Sequence, residues 1–264
     1  MDSSTLSDPA AIMRQKKAGG HRLATLTAYD YAFGRILDDL GLDLILVGDS
    51  LGMVQLGHRD TTQVTIEIME HHTRAVAAGV RKTLLVSDLP AGSYTTPDQA
   101  LSNARRLVAA GAKAVKVEGG NDILPQIQAI LADGIPVLGH LGMLPQHVRE
   151  EGGYHIKGES SEEAETILAD ALALDEAGVL GIVLELVQPD AAEAVTMAIS
   201  CPTIGIGSGE FCDGNILVIH DLLGLFPWFK PRFVTPKADL AGAIGEAVRS
   251  YCDDVRGTSS DSAA

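Results

Sequence analysis

Six positions combine reactive side chains with a common setting. Asp30, Asp49, Asp88, Glu118, His140 and Glu185 stand at or near the ends of short apolar runs: LATLTAYD, LILVGDS, TLLVSDLP, AVKVEGG, PVLGHLG and GIVLELV. Three carboxylates drawn together, such as Asp49, Asp88 and Glu118 from consecutive runs, repel one another and are driven toward protonation unless a cation compensates. Oxygen-only ligation favours a hard divalent ion, above all Mg²⁺, which takes one or two protein carboxylates and keeps other positions for water or substrate. These three are the candidate metal ligands. The alternative for each acid alone is a turn cap or a surface ion pair. Lys116 lies two residues before Glu118 and therefore faces the same side of its strand. Its ammonium needs an anionic partner, either a substrate carboxylate or those same acids. Glu185 sits among Ile, Val and Leu, where desolvation raises a carboxyl pKa toward the range a general base needs; a buried ion pair is the competing reading. His140 either orients a ligand, relays a proton or is satisfied by backbone groups.

The elements that must position these side chains follow from hydrophobic periodicity. Short apolar runs predict strands over 23–30, 44–50, 83–90, 114–120, 136–142, 181–187, 202–208 and 216–222. Helical patterns fill the intervals at 31–41, 64–80, 95–112, 122–135, 161–179 and 190–200, several of them closing on glycine. Ser160 stands three residues before Glu163, an N-cap signature. Eight strands alternating with helices in 264 residues imply an α/β fold, a single (β/α)8 barrel domain spanning 1–264; a doubly wound sheet is the second choice. A short extra helix is expected at about 7–20 and a disordered tail at about 256–264. The interval GEFCDGN is too short for a helix, so the barrel is expected to be irregular between its last two strands.

Composition narrows the function. Hydrophobic residues make up 46% and aromatics 4%, so Ala, Val, Ile and Leu fill the core, as in sheets covered by helices. A net charge of −15 removes the phosphate attraction behind nucleic-acid binding, and an anionic membrane would repel the same surface. The three cysteines, Cys201, Cys212 and Cys252, fit neither a disulfide framework nor a zinc site, which points to a reducing cytoplasm. No leader-like start or membrane-length apolar run is present in the sequence. GIGSGEFCDG lacks the third glycine and the following helix of a dinucleotide-binding turn; its glycines are read as allowing close backbone approach.

Six blocks in series, VGDSLGMVQLGHRDTTQVT, SDLPAGSY, KVEGG, GHLGMLPQ, LELV and PTIGIGSGEFCDG, run from residue 47 to residue 214 and carry a closer likeness. Together they resemble the 3-methyl-2-oxobutanoate (ketopantoate) hydroxymethyltransferase family. The resemblance implies a barrel of the phosphoenolpyruvate/pyruvate type, assembled as a homodecamer of two pentameric rings. It implies a small-molecule enzyme of pantothenate biosynthesis that moves a hydroxymethyl group from 5,10-methylenetetrahydrofolate to 3-methyl-2-oxobutanoate, giving 2-dehydropantoate through a Mg²⁺-stabilised enolate. It assigns one Mg²⁺ per subunit to the acids Asp49, Asp88 and Glu118, oxoacid contacts to Asp49, Ser50, Asp88 and Lys116, and proton acceptance to Glu185. His140, which the resemblance does not assign, is the candidate to support these groups from its own setting in GHLGMLPQ. Ala91 in PAGSY and the run GGYHIKG depart from the commoner family pattern, which bears on substrate preference more than on reaction type. Two rival readings are a Mg²⁺-dependent 2-oxoacid carbon–carbon lyase of the same barrel superfamily and a non-catalytic barrel for assembly or sensing. The first typically needs a cysteine in a Lys/Arg-Cys-Gly-His loop, and none of the three cysteines has that setting.

Overall fold

The computed structural model describes residues 8–258. The chain divides into two compact units, Met1–Leu217 and Val218–Ala264. The first unit holds a closed barrel whose eight strands pair in chain order, β1 with β2 and so on round to β8 with β1, all parallel. In order, it contains α1 (Pro9–Ala18), β1 (Leu23–Thr27), α2 (Tyr31–Asp38), β2 (Leu44–Val47), α3 (Leu51–Val54), α4 (Ile66–Ala77), β3 (Leu84–Asp88), α5 (Pro97–Ala109) and β4 (Ala114–Lys116). There follow α6 (Leu124–Ala132), β5 (Val137–Gly142), α7 (Ser161–Ala177), β6 (Gly181–Glu185), α8 (Pro189–Ala198), β7 (Thr203–Ile206) and β8 (Gly214–Leu217). The second unit contains α9 (Ile219–Leu222) and α10 (Leu240–Arg256).

Local chemistry places the boundaries. Thr65 and Thr96 cap α4 and α5 with their hydroxyls, and Pro97 opens α5 where its missing N–H costs nothing. Ser160 accepts from the Glu163 N–H at 3.2 Å and starts α7, as its spacing predicts. Gly178 ends that helix in the left-handed region, φ 96°. Helix α1 lies inside the stretch expected to be helical, and its Met13 packs into the barrel core with Leu23, Leu44 and Leu46.

The interior is layered. Strand residues alternate in direction, so a side chain two positions beyond an interior one points inward again. Val86, Ala114, Leu138 and Val183 form part of the apolar core. Two residues further along each strand come Asp88, Lys116, His140 and Glu185. The barrel is thus filled with apolar groups at the strand starts and with ionisable groups at the strand ends, where active sites of this architecture sit.

Three expectations need correction. The last strand is Gly214–Leu217 instead of 216–222: its ladder begins at a glycine, whose missing Cβ would lie 2.5 Å from Leu23 Cβ, and Ile219–Leu222 coils into α9. The apolar run marked the neighbourhood but not the register. Helix α10 was not predicted, because Gly242 and Gly245 interrupt it and it follows the strand alternation; its Ile244, Val248, Tyr251 and Val255 nonetheless recur at helical spacing. Asp30 does not join the other acids: its carboxylate caps α2, accepting from the Phe33 N–H at 2.8 Å. The connection from β7 to β8 contains no helix, in line with the expected irregularity. Of the tail expected at about 256–264, residues 259–264 lie outside the described residues, as does residue 7 of the expected extra helix.

Candidate active site

Register brings four strands' reactive ends together. Asp88 is paired with Lys116 across β3 and β4, and His140 and Glu185 follow on β5 and β6. Lys116 Nζ lies 3.0 Å from Asp88 Oδ1 and 3.5 Å from Glu118 Oε1. His140 bridges two acids, with Nδ1 3.3 Å from Glu118 Oε1 and Nε2 3.3 Å from Glu185 Oε2. Asp49 joins from the turn after β2; its own backbone N–H donates to Asp88 Oδ2 at 2.9 Å. Next to it, Ser50 Oγ lies 2.8 Å from the Tyr29 hydroxyl. The three acids expected to converge, with Lys116, His140 and Glu185, are therefore one contiguous group. Glu185 differs from expectation in its setting: it ends β6 instead of lying inside it, and its side chain is 15% exposed, open to the barrel mouth.

Charge is unevenly distributed in this group. Burial pushes Asp49 well above the usual carboxylate range, and repulsion first from Asp88 and then from Glu118 adds to it. Asp88 is also raised by burial, although Lys116 and the Asp49 N–H oppose the shift. Glu118 goes the other way: burial works against its charge, but Lys116 and then His140 hold it down at about 2. Burial and the Lys116 ammonium disfavour protonated His140, yet Glu118 and Glu185 outweigh them and lift its pKa to about 9. Asp49 and Asp88 are thus the acids whose charge is least compensated by the protein itself.

Among the described residues no three His, Cys, Asp or Glu side chains stand in an arrangement that would by itself hold a metal ion. The reason is visible in the contacts, since Lys116 and His140 engage the oxygens of Asp88 and Glu118. The donor set nevertheless fits Mg²⁺. It is all oxygen, its acids crowd one another in the way a cation relieves, and Mg²⁺ commonly needs only one or two protein carboxylates.

Two participants carried no charge and were not identified from sequence. Gln146, in a turn after β5, donates from Nε2 to Asp49 Oδ2 at 2.8 Å and from its backbone N–H to Glu118 Oε2 at 3.0 Å. Tyr94 donates its hydroxyl to Gln146 Oε1 at 2.6 Å. The turn after β6 is strained: Leu186, directly following Glu185, has φ 49°, an uncommon value for a residue with a side chain. Ser208 braces this turn, donating to Leu184 O at 2.7 Å and accepting from the Val187 N–H at 3.0 Å. Gly207 and Gly209, with φ 66° and 78°, allow the approach, as their pattern suggested.

Comparison with known proteins is decisive at this point. Residues 9–260 match the profile of ketopantoate hydroxymethyltransferase. The chain belongs to that family. A 3-methyl-2-oxobutanoate hydroxymethyltransferase from Nitratidesulfovibrio vulgaris (strain DP4) is 52% identical over 244 residues, covering 92% of this chain and 80% of its own. One from Ignicoccus hospitalis is 48% identical and covers 93% of both chains. The protein is accordingly an enzyme, a hydroxymethyltransferase of the ketopantoate type. Among solved structures, a phosphoenolpyruvate phosphomutase from Streptomyces platensis subsp. rosaceus superposes with a TM-score of 0.65 at 15% identity, covering 97% of this chain and 91% of that one. A 2,3-dimethylmalate lyase of the PEP mutase/isocitrate lyase superfamily gives 0.61 at 15% identity, over 98% and 91%. These likenesses support the fold, a closed parallel (β/α)8 barrel. No helix among the described residues is long and apolar enough to cross a membrane.

Proposed function

We propose that this hydroxymethyltransferase takes its one-carbon unit from 5,10-methylenetetrahydrofolate and adds it to 3-methyl-2-oxobutanoate, producing 2-dehydropantoate for pantothenate biosynthesis. The observation that carries the reading is the convergence of Asp49, Asp88 and Glu118, with Lys116, His140 and Glu185, at one end of the barrel. A divalent cation would compensate the crowded carboxylates. Asp49, Asp88 and Glu118 would hold Mg²⁺, directly or through water. When bound, the ion supplies Lewis acidity toward the keto and carboxylate oxygens of the oxoacid, which makes the C3 hydrogen more acidic.

The protein's own groups do the rest. Glu185 takes the C3 proton, and its place at the mouth leaves its carboxylate accessible to a substrate entering from solvent. His140, between Glu185 and Glu118, pairs with both carboxylates at 3.3 Å and lies where its ring supports the carboxylate of Glu185. Lys116 adds positive potential beside the substrate oxygens, while Asp49, Ser50 and Asp88 contact the oxoacid; the N–H groups of Asp49, Leu51 and Gly52 around Ser50 are already bonded, the first to Asp88 and the others within the turn, which leaves the anchoring to side chains. Water adds to the folate-borne carbon and both of its C–N bonds break, so that tetrahydrofolate leaves and the carbon becomes a formaldehyde carbonyl; the deprotonated C3 carbon then adds to it, and the resulting alkoxide takes a proton to give the hydroxymethyl group. Assembly as a cytoplasmic homodecamer of two pentameric rings accompanies this reading.

The test is solvent exchange. The enzyme with Mg²⁺ and 3-methyl-2-oxobutanoate in D₂O should replace the C3 hydrogen by deuterium, followed by NMR, and form 2-dehydropantoate when the folate is added. Glu185→Gln should slow exchange by roughly 10²–10⁴-fold while oxoacid binding stays close to wild type. Exchange at the wild-type rate in that variant would remove Glu185 from its role.

A further inference from the structure

Each of the three buried acids has one oxygen committed to a neutral N–H donor. For Asp88 Oδ2 the donor is the Asp49 backbone, at 2.9 Å. For Asp49 Oδ2 and Glu118 Oε2 both donors belong to one residue, Gln146, through its side-chain Nε2 at 2.8 Å and its backbone N–H at 3.0 Å. We infer that Gln146 is a positioning residue for the cation site: it fixes the orientation of two carboxylates that follow different strands, β2 and β4, and leaves the second oxygen of Asp49 for the ion.

The amide's orientation is dictated by its neighbours. Nε2 faces Asp49 Oδ2 and, at 3.0 Å, the carbonyl of Leu89, both of which only accept, so the NH₂ must point there. Oε1 then faces the Tyr94 hydroxyl at 2.6 Å. That hydroxyl is a donor in turn, because its other neighbour, at 3.2 Å, is the Glu118 carbonyl. Both side chains are buried, and no rotation of the amide satisfies the same partners. A neutral donor is the suitable choice here. A second ammonium beside Lys116 would compensate the acids and compete with the cation, whereas an amide holds a carboxylate in place and leaves its charge intact. Groups that orient metal-binding side chains in this way typically matter 10–100-fold for metal affinity.

The inference rests on the Mg²⁺ reading, and the experiment separates the two. Mn²⁺ suits the same oxygen donors and is observable by electron paramagnetic resonance, so its Kd can be measured on the protein without substrate or turnover. Gln146→Met, which keeps the length and removes both polar atoms of the amide, should raise the Mn²⁺ Kd by roughly 10–100-fold. Tyr94→Phe, which releases the amide's oxygen and the longer contact to the Glu118 carbonyl, should raise it several-fold. The double variant should be no weaker than Gln146→Met alone, because Tyr94 acts through that amide. A structural role alone would lower Tm without this ordering. Wild-type protein that binds no Mn²⁺ would sink the metal reading and this inference with it. Wild-type binding matched by both variants would overturn the inference alone. If Gln146→Met fails to fold, Tyr94→Phe decides: an unchanged Kd rejects the proposal and a weakened one supports it.

Discussion

Asp38 and Asp49 are 3% and 4% exposed in the same barrel, yet burial has opposite outcomes for them. At Asp38 burial disfavours the charge, but the backbone N–H groups of Thr83, Lys82 and Arg81, at 2.9–3.0 Å, outweigh it and bring the pKa down to about 2. At Asp49 burial is reinforced by Asp88 and Glu118 and the pKa rises. The contrast extends to the two ends of the barrel. Near the strand starts, Asp43 accepts from the Ala24 N–H and pairs with Lys16 and His21, while Asp175 accepts from the Ser200 and Cys201 N–H groups and from Arg14. Both are lowered. Near the strand ends, acids face one another. A buried carboxylate with its donors supplied is part of the scaffold; a group of them raised by one another marks a place for a ligand.

The largest effect should come from neutralising one acid at each end. Asp49→Asn preserves shape and hydrogen bonding while removing one of three crowded like charges. Turnover should fall by at least about 10³-fold, as for loss of an interaction specific to the reacting state. The metal-free protein should meanwhile gain Tm by a few degrees at neutral pH, the usual exchange of stability against function at strained sites. A Tm loss in Asp49→Asn would show that the acid is structural after all.

Asp38→Ala should do the reverse. It leaves three N–H groups without their acceptor, at a cost of about 2 kcal/mol after water reaches the more exposed ones, or roughly 5 °C in Tm for a chain of this size. Turnover per folded molecule should be unchanged. Loss of activity with folding intact would mean that the two ends of the barrel are coupled more closely than the contacts indicate.

Acid titration sharpens the same comparison with a smaller signal. Asp38 has a folded pKa of about 2 against an ordinary value of 3.8. The unfolded chain therefore takes up the proton first as pH falls. The stabilisation is complete above about pH 4 and is lost as pH descends through about 2. Chemical denaturation between those limits should show stability declining with acid in the wild type and a flatter dependence in Asp38→Asn. An equal slope in both proteins would assign the acid limb to other carboxylates.

These contrasts also mark what the sequence reveals. The barrel is legible because apolar runs alternate with helical patterns, and Asp88, Lys116, His140 and Glu185 are legible because each stands two residues past an interior apolar side chain. Asp30 and Asp49 look alike in sequence, each closing an apolar run; only the position of the next helix makes the first a cap. Gln146 and Tyr94 were missed because uncharged side chains in a turn give no signal until a fold brings Asp49 and Glu118 to them, 97 and 28 residues away from Gln146. Strand register is similarly a matter of packing: β8 begins at Gly214 because only a residue without a side chain fits beside Leu23, and an apolar pattern does not record that.

The smallest predicted effect concerns the turn that presents Glu185. Leu186 at φ 49° carries a steric cost of about 1 kcal/mol that its surroundings enforce. Its N–H donates to Ile206 O at 2.9 Å, its carbonyl accepts from Lys157 at 2.8 Å, and Glu185 O accepts from Met143 at 2.8 Å. Glycine at this position would relieve the strain but gain freedom in the unfolded chain worth about 0.5–1 kcal/mol, so the two changes nearly cancel and Tm should move by no more than about 2 °C. The C3 exchange rate is the more sensitive reporter. If the strained turn serves to aim the carboxylate, Leu186→Gly should lower exchange a few-fold with oxoacid affinity unaltered, and Leu186→Ala, which keeps a Cβ, should stay near wild type. Exchange unaffected in the glycine variant, together with a higher Tm, would mark the strain as incidental to packing against β7 and unrelated to the chemistry at the barrel mouth.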